Sequence, residues 1–162
     1  LMRDLETGQE KELYSKIAPP DIGSVTLSPD GKYLAFLTAE MVEKKLESAV
    51  LRIIPATGGK PCDLVKIPLP ETIGPYAWTP NGREILFAKG LDYRKQDKKC
   101  ELWMISAEGG EARKLGLTID RIFDLSIHPD GQRIAFSSGK PGAEIWVMEN
   151  FLPEQKAKKK SK

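Results

Sequence analysis

The sequence predicts an all-β fold of repeated four-stranded antiparallel sheets, and two observations predict it. A Pro-Asp-Gly type of turn recurs at nearly constant spacing, and strand-length runs of β-branched, aromatic and aliphatic residues flank every copy. Ser28-Pro29-Asp30-Gly31 leads into Lys32-Tyr33-Leu34-Ala35-Phe36. Thr79-Pro80-Asn81-Gly82 leads into Arg83-Glu84-Ile85-Leu86-Phe87, and His128-Pro129-Asp130-Gly131 into Gln132-Arg133-Ile134-Ala135-Phe136, at offsets of 51 and then 49 residues. Self-similarity at such a period marks a repeat architecture.

Each element follows from local chemistry. Pro29 fixes φ at the first corner of the turn, Asp30 favours the second, and Gly31 accepts the left-handed backbone that follows. The same roles fall to Pro80, Asn81 and Gly82, and to Pro129, Asp130 and Gly131. Each turn therefore joins two antiparallel strands: 25–28 with 33–38, 76–79 with 85–88, and 125–128 with 134–137. A third strand is expected at 50–55, 101–106 and 144–149. Gly58-Gly59 and Gly109-Gly110 then turn the chain into a fourth, near 63–67 and 112–115. Four antiparallel strands per unit of about 50 residues is the arithmetic of a β-propeller blade. Phe36, Phe87 and Phe136 hold one register position and are assigned to the inter-blade core; Trp103 and Trp146 share another and are expected between blades as well. Trp78, on an innermost strand, is placed either there or on the central channel.

The Pro-Asp-Gly hairpin followed by Ile-Ala-Phe, with the later strand Ile145-Trp146-Val147-Met148, resembles the WD40-like (PD40) repeats of TolB-type β-propellers. The same repeat occurs in the propeller domains of tricorn-like and prolyl-oligopeptidase-like peptidases. The resemblance covers roughly residues 20–152; Asn81 departs from the motif Asp, which a turn tolerates. Kelch repeats match less well, because here the Gly-Gly pair follows the third strand. The resemblance implies a propeller, and for the TolB type a bacterial, periplasmic or cell-envelope setting, with a cytoplasmic one as the alternative. It also implies a protein- or peptide-binding role. The alternatives are an accessory substrate-gating propeller of a peptidase, or a sensory or output domain of a bacterial regulator.

The strands divide the chain into the last two strands of a preceding blade (1–17), a blade (18–70), a second (71–120), a partial blade (121–152) and a basic disordered tail (153–162). That is about three and a quarter blades, an incomplete ring, where closed propellers need about 4 to 8. The expectation is a C-terminal part of a longer propeller, contacting its remaining blades; self-association is the alternative. No apolar stretch is long enough to be a transmembrane segment.

Composition narrows the function. The net charge of +2 conceals a basic end: residues 156–162 hold five Lys, and without them 20 basic residues face 23 acidic ones, a net −3. A mildly acidic body argues against nucleic acid as a partner. A single His rules out a multi-histidine metal site, and His128 sits where Ser28 and Thr79 serve the turn. No Gly-x-Ser-x-Gly elbow, Walker loop or Gly-x-Gly-x-x-Gly is present. The innermost strands, expected at 25–27, 76–78 and 125–127, hold no carboxylate on that reading, with Asp124 just before one of them. The expectation is no enzyme, no catalytic residues, no metal and no cofactor. Cys62 and Cys100 are read as free thiols, with pairing left open.

The variable segments point to binding. The connection between second and third strands is long at 39–49 and 90–99 and short at 139–143. It shares one face with the inter-blade connections near 18–21, 69–72 and 118–121, while the tight turns occupy the other. Long surface loops are where binding usually resides. The expected binding residues on this loop face are Tyr93, Arg94, Lys95, Lys44, Lys45, Asp21 and Glu71. Met41, Val42 and Leu46, with Glu–Lys pairs at helical spacing, suggest a short surface helix within 40–48.

Overall fold

The computed structural model describes residues 1–15, 23–90, 99–139 and 144–151. Among them every regular element is a strand, and every paired neighbour is antiparallel. A small hairpin joins β1 (Met2–Arg3) to β2 (Glu10–Lys11). The first sheet runs β3 (Val25–Leu27), β4 (Tyr33–Val42), β5 (Lys45–Pro55) and β6 (Cys62–Pro68), in chain order. The second repeats the order with β7 (Ile73–Trp78), β8 (Glu84–Lys89), β9 (Cys100–Ser106) and β10 (Arg113–Ile119). The third holds β11 (Ile122–Ile127), β12 (Arg133–Ser138) and β13 (Glu144–Glu149). The sheets are blades of a propeller arc, with β7 lying against both β3 and β11 on the inner side.

The repeat becomes packing through register. Phe36 pairs with Arg52, Phe87 with Trp103, and Phe136 with Trp146, so these residues stand on one face of each sheet. The three Phe are buried. Ile85, Phe87 and Ile105 pack on Ala35, Leu51 and Ile53 of the first sheet to make one core. Leu86, Leu102 and Met104, on the opposite face of the second sheet, pack on Ile134 and Phe136 to make the other. A sheet covered on both faces explains why β8 is apolar through four consecutive residues instead of alternating.

Side-chain donors join the sheets at their inner strands. The Tyr76 hydroxyl donates to the Ser24 carbonyl and lies 3.1 Å from that of Ala35. The Trp78 indole N–H donates to the Thr26 carbonyl at 3.3 Å. Trp78 is therefore buried between sheets and does not line the channel. Trp146 differs from its register partner Trp103: the latter packs against the inter-sheet core, while the former is about half exposed.

The expected loop and short helix within 39–49 are corrected. β4 and β5 run to Val42 and from Lys45, and Glu43 and Lys44 close a two-residue turn at φ 48° and 65°. That is the backbone of a type I′ hairpin turn. The misreading has a simple cause. In a two-residue hairpin Met41 faces Leu46 and Val42 faces Lys45, so side chains a few residues apart meet, much as they do on a helix. Continuation of the ladder from the sheet below decides between the two. Glu47 is the extra residue of a bulge, since Glu40 pairs with Ser48 but Met41 with Leu46.

Candidate binding face

One face of the arc is made of the tight turns, and their side chains are spent on the turns themselves. Gly31, Gly82 and Gly131 have φ of 71°, 68° and 72°, and each donates its N–H three residues back, to Ser28, Thr79 and His128. Asp30 accepts from the Ser28 hydroxyl at 2.7 Å and the Lys32 N–H at 3.1 Å. These bonds hold its carboxyl down at about 2. Asp130 is also held at about 2, first by the Gln132 N–H at 2.8 Å and then by Arg133. Asn81 makes the equivalent bonds, from Thr79 at 2.7 Å and Arg83 at 3.0 Å. Pro29, Pro80 and Pro129 stand at the first corners. His128 accepts the Asp130 N–H at 3.2 Å, which ties the one histidine to its turn. This face also carries an open groove of about 820 Å3 between the first two sheets, bordered by Tyr33, Lys60, Asn81 and Glu108.

The opposite face is built from the longer connections. On the turn side of Ser48, β5 no longer pairs with β6, and a last bond runs from the Leu69 N–H to the Glu47 carbonyl at 2.8 Å, so the end of the β4–β5 hairpin projects past its sheet. Its end is exposed and mixed in character: Met41, Val42 and Leu46 beside Glu43, Lys44 and Lys45. Lys44 and Lys45 are thus placed at a projecting tip. Glu71 lies at the entry to β7, 4.0 Å from Lys89. Lys89 in turn caps the Trp103 ring at 4.8 Å, and Trp103 donates to Glu101 at 3.1 Å. Glu101 also pairs with Lys114 at 2.5 Å, which lowers its pKa. These groups surround the base of the second long connection. Tyr93, Arg94, Lys95 and Asp21 lie outside the described residues.

The residue that sequence reasoning passed over is Arg52. It is buried, and its guanidinium reaches Asp63 at 2.5 Å, Glu40 at 2.9 Å, Thr38 at 3.0 Å and the Tyr14 hydroxyl at 3.4 Å. Glu40 also pairs with Lys66 at 2.6 Å, which lowers its pKa. The network anchors the base of the projecting hairpin and ties it to Tyr14, whose ring rests 5.1 Å from that of Phe36. A signal existed: Arg52 occupies the register position held elsewhere by Trp103 and Trp146. Cys62 is exposed and Cys100 buried, both as free thiols, and burial raises the pKa of Cys100. Among the described residues no group of three or more His, Cys, Asp or Glu is placed to hold a metal. No helix there is long and apolar enough to cross a membrane.

No family model and no curated protein matches the chain. Solved structures do. TolB from Acinetobacter baumannii superposes with a TM-score of 0.65 at 16% identity, over 91% of this chain and 34% of that one. An oligogalacturonate lyase in complex with manganese gives 0.71 at 18%, over 92% and 38%. A puromycin-hydrolyzing peptidase of Mycobacterium tuberculosis gives 0.60 at 14%, over 86% and 22%. At such identities the likeness establishes the β-propeller fold. The chain spans about a third of the length of the first two.

Proposed function

We propose that this propeller arc is a non-catalytic module that binds a protein or peptide through its loop face. The observation that carries the reading is the asymmetry between faces. On one, the polar side chains of the three Pro-Asp/Asn-Gly turns are consumed by turn hydrogen bonds. On the other, a hairpin projects with exposed Met41, Val42, Leu46, Lys44 and Lys45, and the same face carries the Glu71–Lys89 pair. Exposed apolar side chains rimmed by charge are the make-up of protein contact surfaces. Propellers of this fold are found in TolB, a lyase and a peptidase alike, so the reading rests on surface chemistry and not on fold. Tyr93, Arg94 and Lys95 belong to the same proposal, as the aromatic and charged part of the second long connection.

Peptides selected from a random display library on the immobilised chain test it. The expected result is that they lose binding when Tyr93, Arg94 and Lys95 are changed together to Ala, and again when Lys44 and Lys45 are changed to Glu. Selected peptides that bind both variants as well as the parent chain would overturn the reading.

A further inference from the structure

The inner strands open with an irregularity. In β7, Ile73 pairs with Lys89 but Tyr76 with Phe87; in β11, Ile122 pairs with Ser138 but Asp124 with Ser137. Each is a bulge, a device that re-aims side chains. The repeats differ there in a way the fold does not require. The buried Ile73 and Ile122 are kept, yet the residues after them are Gly74-Pro75 in one copy and Phe123-Asp124 in the other. The first copy carries Gly23-Ser24. Arg121 likewise stands where the other copies have Thr72 and Asp21.

The three departures converge. Arg121, Phe123 and Asp124 border a groove of about 490 Å3 at the inner ends of the sheets, whose apolar walls include Leu37, Pro75 and Leu125. The Arg121 guanidinium lies 5.2 Å over the Phe123 ring, and that ring is about half exposed. Among the described residues Arg121 and Arg83 make no ion pair, whereas Arg3, Arg52, Arg113 and Arg133 do, and of the two only Arg121 borders this groove. Asp124 accepts only a long bond of 3.3 Å from the Ser137 hydroxyl.

We propose that this groove binds a peptide segment through its carboxylate. Arg121, its plane held by Phe123, receives the carboxylate in the two-pronged geometry that a guanidinium favours. Asp124 accepts a peptide N–H beside it, and an apolar side chain rests on Leu37, Pro75 and Leu125. The single cation with an acid next to it selects against polyanions such as nucleic acid. The carboxylate belongs either to a chain end or to an Asp or Glu side chain. The inference deepens the peptide-binding reading and rests on it.

Three probes separate the possibilities: N-acetyl-Gly-Leu-Phe with a free carboxylate, the same peptide amidated, and amidated N-acetyl-Gly-Leu-Glu. Each is titrated to millimolar concentration into the 15N-labelled chain. The free acid is expected to shift the amides of residues 121–125, and the neutral amide is not. A response to the Glu peptide as well assigns the site to side-chain carboxylates too; its absence assigns it to chain ends. Arg121→Gln should weaken binding about tenfold or more, the scale of one lost charge-assisted pair, and Arg121→Lys should fall between. Equal binding of neutral and acidic peptides would overturn the carboxylate assignment and leave peptide binding standing. No shifts with any probe, or full binding by a folded Arg121→Gln chain, would overturn the groove as a site, while the display selection above tests the wider reading independently.

Discussion

Tyr76→Phe removes a single oxygen from the joint between the first two full sheets. The hydroxyl serves the Ser24 carbonyl and sits 3.1 Å from that of Ala35, and the residue is 5% exposed. Without it the Ser24 carbonyl loses this donor where water has little access, while the Ala35 carbonyl keeps its ladder partner in β3. The expected cost is about 1–2 kcal/mol, the scale for a buried hydrogen bond removed from one side. For a chain of this size that lowers Tm by roughly 2–8 °C. Urea titrations followed by Trp fluorescence, at fixed slope, measure it. A second signature lies in alkaline solution. Burial pushes the Tyr76 phenol from 10.0 up to about 12, so the unfolded chain ionises first. The stability tied to the neutral phenol is complete below pH 10 and drains away as the pH rises toward 12. Tyr76→Phe should flatten that part of the pH profile. A loss under about 0.3 kcal/mol together with an unchanged alkaline slope would refute the claim that this hydroxyl joins two blades.

Four further outcomes follow from the same geometry. Arg52→Ala leaves Glu40 and Asp63 without their buried cation and should cost about 1–3 kcal/mol in urea unfolding, while Arg52→Met, which keeps the volume, should cost less. Asp30 and Asp130, both held at about 2 against 3.8, stabilise the fold above about pH 4, and that contribution is lost as pH falls toward 2. The double change to Asn, the residue already present at position 81, should keep the turns and make acid unfolding less steep. Replacing Glu43-Lys44 by Asn-Gly relieves left-handed backbone at φ 48° and 65° and should raise stability by about 0.5–1.5 kcal/mol in thermal melts. A thiol reagent should label one cysteine per native chain quickly, exposed Cys62, and reach buried Cys100 only on unfolding.

The arc was legible in the sequence because its signals are local and repeated. Pro29, Asp30 and Gly31 specify a turn without help from the rest of the chain, and three copies fix the period. What escaped depends on neighbours. The hairpin at 40–48 imitates helical spacing, and only the ladder below it breaks the tie. Trp78 on an inner strand has two faces open to it, and its partner, the Thr26 carbonyl, lies 52 residues away. Arg52 reads as a surface charge until Glu40, Asp63 and Tyr14 are brought round it. The candidate site was legible in part: the loop face was marked by length, and Lys44, Lys45 and Glu71 stand on it. The cluster of Arg121, Phe123 and Asp124 was visible as a departure from the repeat, but its groove needs β3, β7 and β11 side by side.

The most direct test is amide mapping of the 15N-labelled chain with a peptide selected on it. Binding through the loop face predicts shifts at residues 41–46, around Lys89 and Lys99, and at 121–125, with the turns at 30–32, 81–83 and 130–132 unmoved. Shifts confined to those turns and to the groove beside Asn81 would contradict it.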